Sequence, residues 1–84
     1  MLSRTATVRL LRRFAKSETA GLRVAAIKGL GRVRIRAAAR ALVELADGPN
    51  GDVARQELTS IAGKAEDDWQ AWLDGPGCTL QEVD

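Results

Sequence analysis

Eleven of the 13 lysines and arginines stand in residues 1–40, where the only acid is Glu18. Arg9, Arg12, Arg13, Lys16, Arg32, Arg34, Arg36 and Arg40 are therefore the side chains best placed to do chemistry, and that chemistry is ionic. A row of guanidinium groups neutralises phosphates, giving salt-dependent, base-insensitive contact with nucleic acid, or it pairs with carboxylates on a protein. The other ten acids, opposed only by Arg55 and Lys64, occupy residues 41–84. Local charges of +10 and −8 thus lie behind a formal total of +2. Such polarity suits a basic surface meeting an acidic partner, or copies of the chain meeting head to tail.

The inventory for covalent chemistry is thin. There is no histidine, no tyrosine and one cysteine, Cys78, so the chain lacks the commonest general base and a zinc-ligand set. No serine stands in a nucleophile-elbow pattern. Cys78 has no histidine and no neighbouring cation in sequence to activate it, and reads as a buried thiol. Glu66, Asp67 and Asp68 are consecutive, so on a helix they point in different directions and read as a solvated helix start. Neither KGLG nor GLGR has the spacing of a phosphate loop, and no strand precedes them. The expectation is a chain that is not an enzyme and takes no cofactor or metal. Trp69 and Trp72 share one helical face with Leu73, as a partner-binding or stacking face or, more simply, as cover for a core.

The elements that must position these residues are helices. Eighty-four residues, 45% apolar and 29% charged, make one small folded domain. Arginine interrupts every apolar segment, so none reaches the roughly 18 uncharged residues of a membrane helix. Ile35, Ala38, Leu42 and Leu45 recur at helical spacing and form one stripe. The break DGPNGD follows, with Gly48, Pro49 and Gly51 ending that helix and Asn50 or Asp52 accepting from the amides of the next. The next helix runs from Val53 onward with Ala54, Leu58, Ile61 and Ala65 as its stripe. Upstream, KSETAG is the matching break, with Ser17 or Thr19 as the N-cap of a helix over about Ala20–Arg32. Its stripe is Leu22, Ala26 and Leu30, and Gly29 and Gly31 allow a neighbour to come close. Arg34, Arg36 and Arg40 point mostly away from the packed stripe, so Arg34→Glu with Arg36→Glu is expected to leave the fold intact.

A shift of 31 residues places Leu11 on Leu42, Phe14 on Leu45, Ala15 on Ala46, Leu22 on Val53, Ile27 on Leu58 and Leu30 on Ile61. The predicted organisation is a single domain with repeat one at residues 5–33, repeat two at 34–65, a capping helix at 66–74 and a tail at 75–84. Glu66, Asp67 and Asp68 favour the start of the capping helix through its dipole, and Gly75 with Pro76 stops it. In the tail, Thr79 and Glu82 have the spacing of a capping box.

LRVAAIKGLG, an aliphatic then an arginine, paired small residues and a small-leucine-glycine ending, resembles the second helix of a HEAT-like repeat of the short kind found in phycobilisome-lyase-type proteins. ARALVELADGPNGDVARQELTSIAGK is similar to a whole unit of that family, and the resemblance covers residues 5–65. The period of 31 is shorter than the roughly 40 to 47 of HEAT and armadillo units, while ankyrin and tetratricopeptide signatures are missing. Glu57 stands where the first unit has Ala26, and the unit's arginine has moved one place to Arg55, which sets the last helix of the second unit beside an edge.

The resemblance implies an all-α fold of two antiparallel helix-pair repeats, a HEAT-like α-solenoid fragment closed by the short tryptophan-containing helix. It also implies a protein-protein interaction scaffold or adaptor. The candidate partner-binding residues are Arg9, Arg12, Arg13, Arg32, Arg34, Arg36, Arg40, Trp69 and Trp72. The expected partner is a protein with an acidic surface or another copy of the chain, with no membrane contact. Phosphate-backbone binding through the basic half, or a structural place in a larger assembly, are the alternatives. The segment MLSRTATVRLLRRFAKS is similar to a mitochondrial presequence, but it takes part in the repeat. The expected location is cytoplasmic, or mitochondrial if the basic segment is a retained targeting signal.

Overall fold

The computed structural model describes residues 3–80. Every regular element among them is a helix: α1 Arg4–Phe14, α2 Ala20–Arg32, α3 Arg36–Leu45, α4 Gly51–Ala62 and α5 Trp69–Asp74. None of the described helices is long and apolar enough to cross a membrane. A shift of 31 residues carries α1 onto 35–45 and α2 onto 51–63, within one residue of α3 and α4. The repeat in sequence is therefore also a repeat of helix boundaries. The capping-box spacing at Thr79 and Glu82, and the end of the predicted tail, fall outside the described residues.

Helix α1 packs on α2 and α3 on α4, and the two pairs meet with α1 against α3 and α2 against α4. The short α5 packs on α3, which thereby touches each of the other four helices. Its predicted stripe is the centre of the core: Ile35, Ala38 and Leu42 are fully buried and Leu45 nearly so. Ile27 and Leu30 of α2, Leu58 of α4 and Leu73 of α5 complete that core. Close approach depends on small residues, as a Cβ on Gly29 would stand 3.2 Å from Leu11 Cδ1. Gly31 lies under the side chain of Glu57, whose carboxylate would overlap an added Cβ. Glu57 thus faces α2 across the space that Gly31 leaves.

Helix ends are held by fewer side-chain caps than the residue types suggest. Ser3 Oγ accepts from the Ala6 amide at 3.1 Å and Asp68 Oδ1 from the Ala71 amide at 3.1 Å, each satisfying one free amide of a first turn. Thr19 precedes α2 without such a bond, and Ser17 Oγ accepts instead from the Thr19 amide at 3.1 Å. Asn50 occupies the N-cap of α4 but in left-handed conformation, φ 61°, with its side chain engaged elsewhere. Helix α4 consequently starts at Gly51, earlier than predicted, and Ala65 lies exposed beyond its end. Capping helix α5 begins three residues later than predicted because Asp68 is its cap and Glu66 and Asp67 stay outside it.

Gly51 is required by the sharpness of this turn, since a Cβ there would stand 2.1 Å from the Ala46 carbonyl oxygen. Backbone cannot give way as a side chain can. Gly51→Ala is expected to cost about 1–3 kcal/mol through overpacking, read as a fall in Tm of about 5–15 °C.

Candidate partner-binding surface

Arg23, Arg36 and Arg55 bond backbone carbonyls within the fold. Arg23 donates through Nε to Asn50 Oδ1 at 2.6 Å and through Nη1 to the Ser17 carbonyl at 2.9 Å. It ties the loop between α1 and α2 to the loop between α3 and α4. Arg55 Nη1 donates to the Ala46 carbonyl, the equivalent service in the second pair. Arg36 donates from Nη1 to the Leu73 carbonyl at 2.6 Å and from Nη2 to the Cys78 carbonyl at 3.3 Å. Helix ends leave carbonyls without intrahelical partners, and a guanidinium fork serves two at once. Arg36 is accordingly half-buried at the root of α5, so Arg36→Glu would remove a structural clamp; the expectation of an intact fold holds only for exposed Arg34.

The remaining candidate arginines reach the surface. Arg12 pairs with Glu44 and joins α1 to α3, with both side chains nearly half exposed. Arg9, Arg12 and Arg40 come together along a groove between α1 and α3 lined also by Thr5, Val8 and Ala37. Arg9 and Arg13 share a second hollow on α1 with Ala6 and Leu10. Arg32 is the last residue of α2 and Arg34 lies in the connection to α3, away from both hollows. Arg9, Arg13, Arg32 and Arg34 are exposed and form no ion pair with described residues.

Trp69 and Trp72 are each 8% exposed and meet edge to face, their ring centroids 5.5 Å apart with planes at 87°. Leu73 beside them is fully buried, and the helix they form packs on α3. Such burial favours the cap over a stacking face, because the indoles are already covered. Cys78, also buried, closes the same corner.

Charge is polarised in space as well as along the chain. Where α3 meets α5, Glu44, Asp47, Asp67 and Asp68 surround a hollow of about 360 Å³, with Arg55 the one cation among its lining. The basic hollows lie on α1 and between α1 and α3. A feature the side-chain inventory did not single out is apolar: Leu10, Phe14 and Leu22 are the large hydrophobic residues left exposed among those described. The signal for it is the repeat itself, since the first unit carries the same apolar positions by which the second unit packs on it, and no described helix packs there. Compared with family models, curated proteins and solved structures, the chain matches none.

Proposed function

We propose that the chain is a non-catalytic helical interaction module that holds an acidic protein surface through its first helix pair. In this reading it is a short HEAT-like solenoid of two antiparallel pairs, closed on one side by α5 and working in the cytoplasm. The observation that carries the proposal is the coincidence, on α1 and α2, of exposed cations lacking ion pairs with described residues and exposed large apolar side chains. Arginine beside apolar surface is the composition of protein interfaces, whose centres are apolar and whose rims are charged. The pattern of helix contacts, with like helices of the two pairs side by side, supports the solenoid.

Arg9→Glu with Arg13→Glu tests the reading, since both side chains are exposed and the fold should survive their reversal. The unmodified chain should retain a protein from nuclease-treated extract that binds again when purified, and the double variant should bind it at least about tenfold more weakly, or about 1.4 kcal/mol. A partner held equally by both would remove the electrostatic part of the reading. Light scattering with a duplex at low and high salt tests the nucleic-acid alternative. A salt-sensitive DNA complex would replace the protein partner with a phosphate backbone.

A further inference from the structure

The second helix pair buries against the first three positions that the first pair leaves bare. Under the 31-residue shift, Leu10, Phe14 and Leu22 correspond to Ala41, Leu45 and Val53. Ala41 and Leu45 are 1% and 8% exposed and Val53 packs partly buried against the core, whereas Leu10, Phe14 and Leu22 are 40%, 39% and 42% exposed.

Direction explains the difference. On α3, Ala41 stands three residues before Glu44, which bonds Arg12 of α1; on α4, Val53 stands four before Glu57, which lies over Gly31 of α2. Both therefore face the first pair. In the first pair the equivalent faces turn outward. Leu10 and Phe14 lie two residues either side of Arg12, about 160° around α1 from the side that meets α3. Leu22, nine residues before Gly31, lies about 180° around α2 from the side that meets α4. The outer edge of α1 and α2 thus has the lateral packing pattern of the second pair with no described helix packed on it.

We infer that this edge receives an amphipathic helix of a partner protein whose apolar stripe is flanked by Asp and Glu. The inference rests on the interaction reading above and names its partner class. Charge selects the occupant: Arg9 and Arg13 adjoin Leu10 around a hollow of about 250 Å³, and Lys28 and Arg32 stand exposed on α2. None of the four has an ion pair with a described residue. An acidic helix satisfies these cations and covers the leucines and phenylalanine together. A second copy does not meet both needs with one surface. Edge to edge it would oppose like charges, and its α5 end offers Asp67, Asp68 and Asp74 while keeping both tryptophans buried. Nucleic acid would engage the arginines but leave the apolar side chains uncovered.

The test is selection from a displayed library of helical peptides, with apolar residues fixed at one helical stripe and the flanks randomised, against the full chain. The flanks of the peptides retained should be enriched in Asp and Glu. Fluorescence anisotropy with a selected peptide should show at least about tenfold weaker binding to Leu10→Ser with Phe14→Ser. Binding should also weaken several-fold as salt rises. Both substitutions are at exposed sites, and Leu22→Ser gives a second variant should the pair disturb the helical signal. Basic or neutral flanks, or no enrichment, overturn the inference. An acidic peptide bound equally by the serine variants also overturns it, while the interaction reading survives with its surface elsewhere. A solution dimer lost in the serine variants would make the occupant a second copy and reject the partner helix. Duplex DNA that displaces the peptide and binds more tightly would remove inference and reading together.

Discussion

Leu42→Asp should lose the native helical circular dichroism at room temperature and elute as an expanded chain. Leu42 is fully buried in α3, the helix that touches each of the other four. Removing the leucine side chain forfeits about 2–5 kcal/mol in packing and transfer. An uncompensated carboxylate in its place costs several kcal/mol more, whether it ionises or takes up a proton. A domain of this length has roughly 4–13 kcal/mol of stability in all. The summed loss is comparable to the whole of that stability. Leu42→Met, which keeps volume and polarity, should stay folded with a loss below about 1.5 kcal/mol, and separates charge burial from disturbance of the site. A Leu42→Asp chain with native helical signal and a cooperative melt would move the centre of the core away from α3.

The part of this core that periodicity makes legible is the α3 stripe, because apolar residues at helical spacing have few other uses in a chain this small. Helix boundaries in the second pair follow from the first, as the repeat shares both its apolar positions and its breaks. Periodicity shows which face of a helix is apolar, not whether a neighbour exists to cover it. Leu22 reads as stripe for that reason, yet it is exposed where its equivalent Val53 is packed. The arginines that hold the backbone are hard to read for a different reason. Arg23, Arg36 and Arg55 bond backbone carbonyls, and every residue has a carbonyl, so nothing in the partner's identity advertises the bond. The one hint is positional, an arginine near the start of the second helix in each unit. Asn50 likewise reads as a cap by type, while its amide oxygen is taken by Arg23 at 2.6 Å.

The fate of α5 turns on Arg36, and Arg36→Ala should free this helix while α1 to α4 remain folded. Six residues cannot hold a helix alone, since isolated helices need roughly 12–15 even in favourable sequences. Helix α5 therefore exists because Trp69, Trp72 and Leu73 pack on α3 and because Arg36 pins the carbonyls of Leu73 and Cys78. Hydrogen bonds from a charged donor are each worth about 1.5–3 kcal/mol. Losing the fork while leaving two carbonyls short of partners is thus comparable to the whole gain from docking so short an element. The reporters are native: both tryptophans of the chain lie in α5. Their emission should shift to the red and their quenching by acrylamide rise several-fold, with only a small loss of helical signal. Arg36→Lys, which keeps the charge but cannot reach two carbonyls with a planar fork, should fall between the two. Unchanged tryptophan emission in Arg36→Ala would mean that indole packing alone retains the cap. A full loss of helical signal would mean instead that α5 is part of the folding unit, and that the two helix pairs among the described residues depend on this short cap for stability.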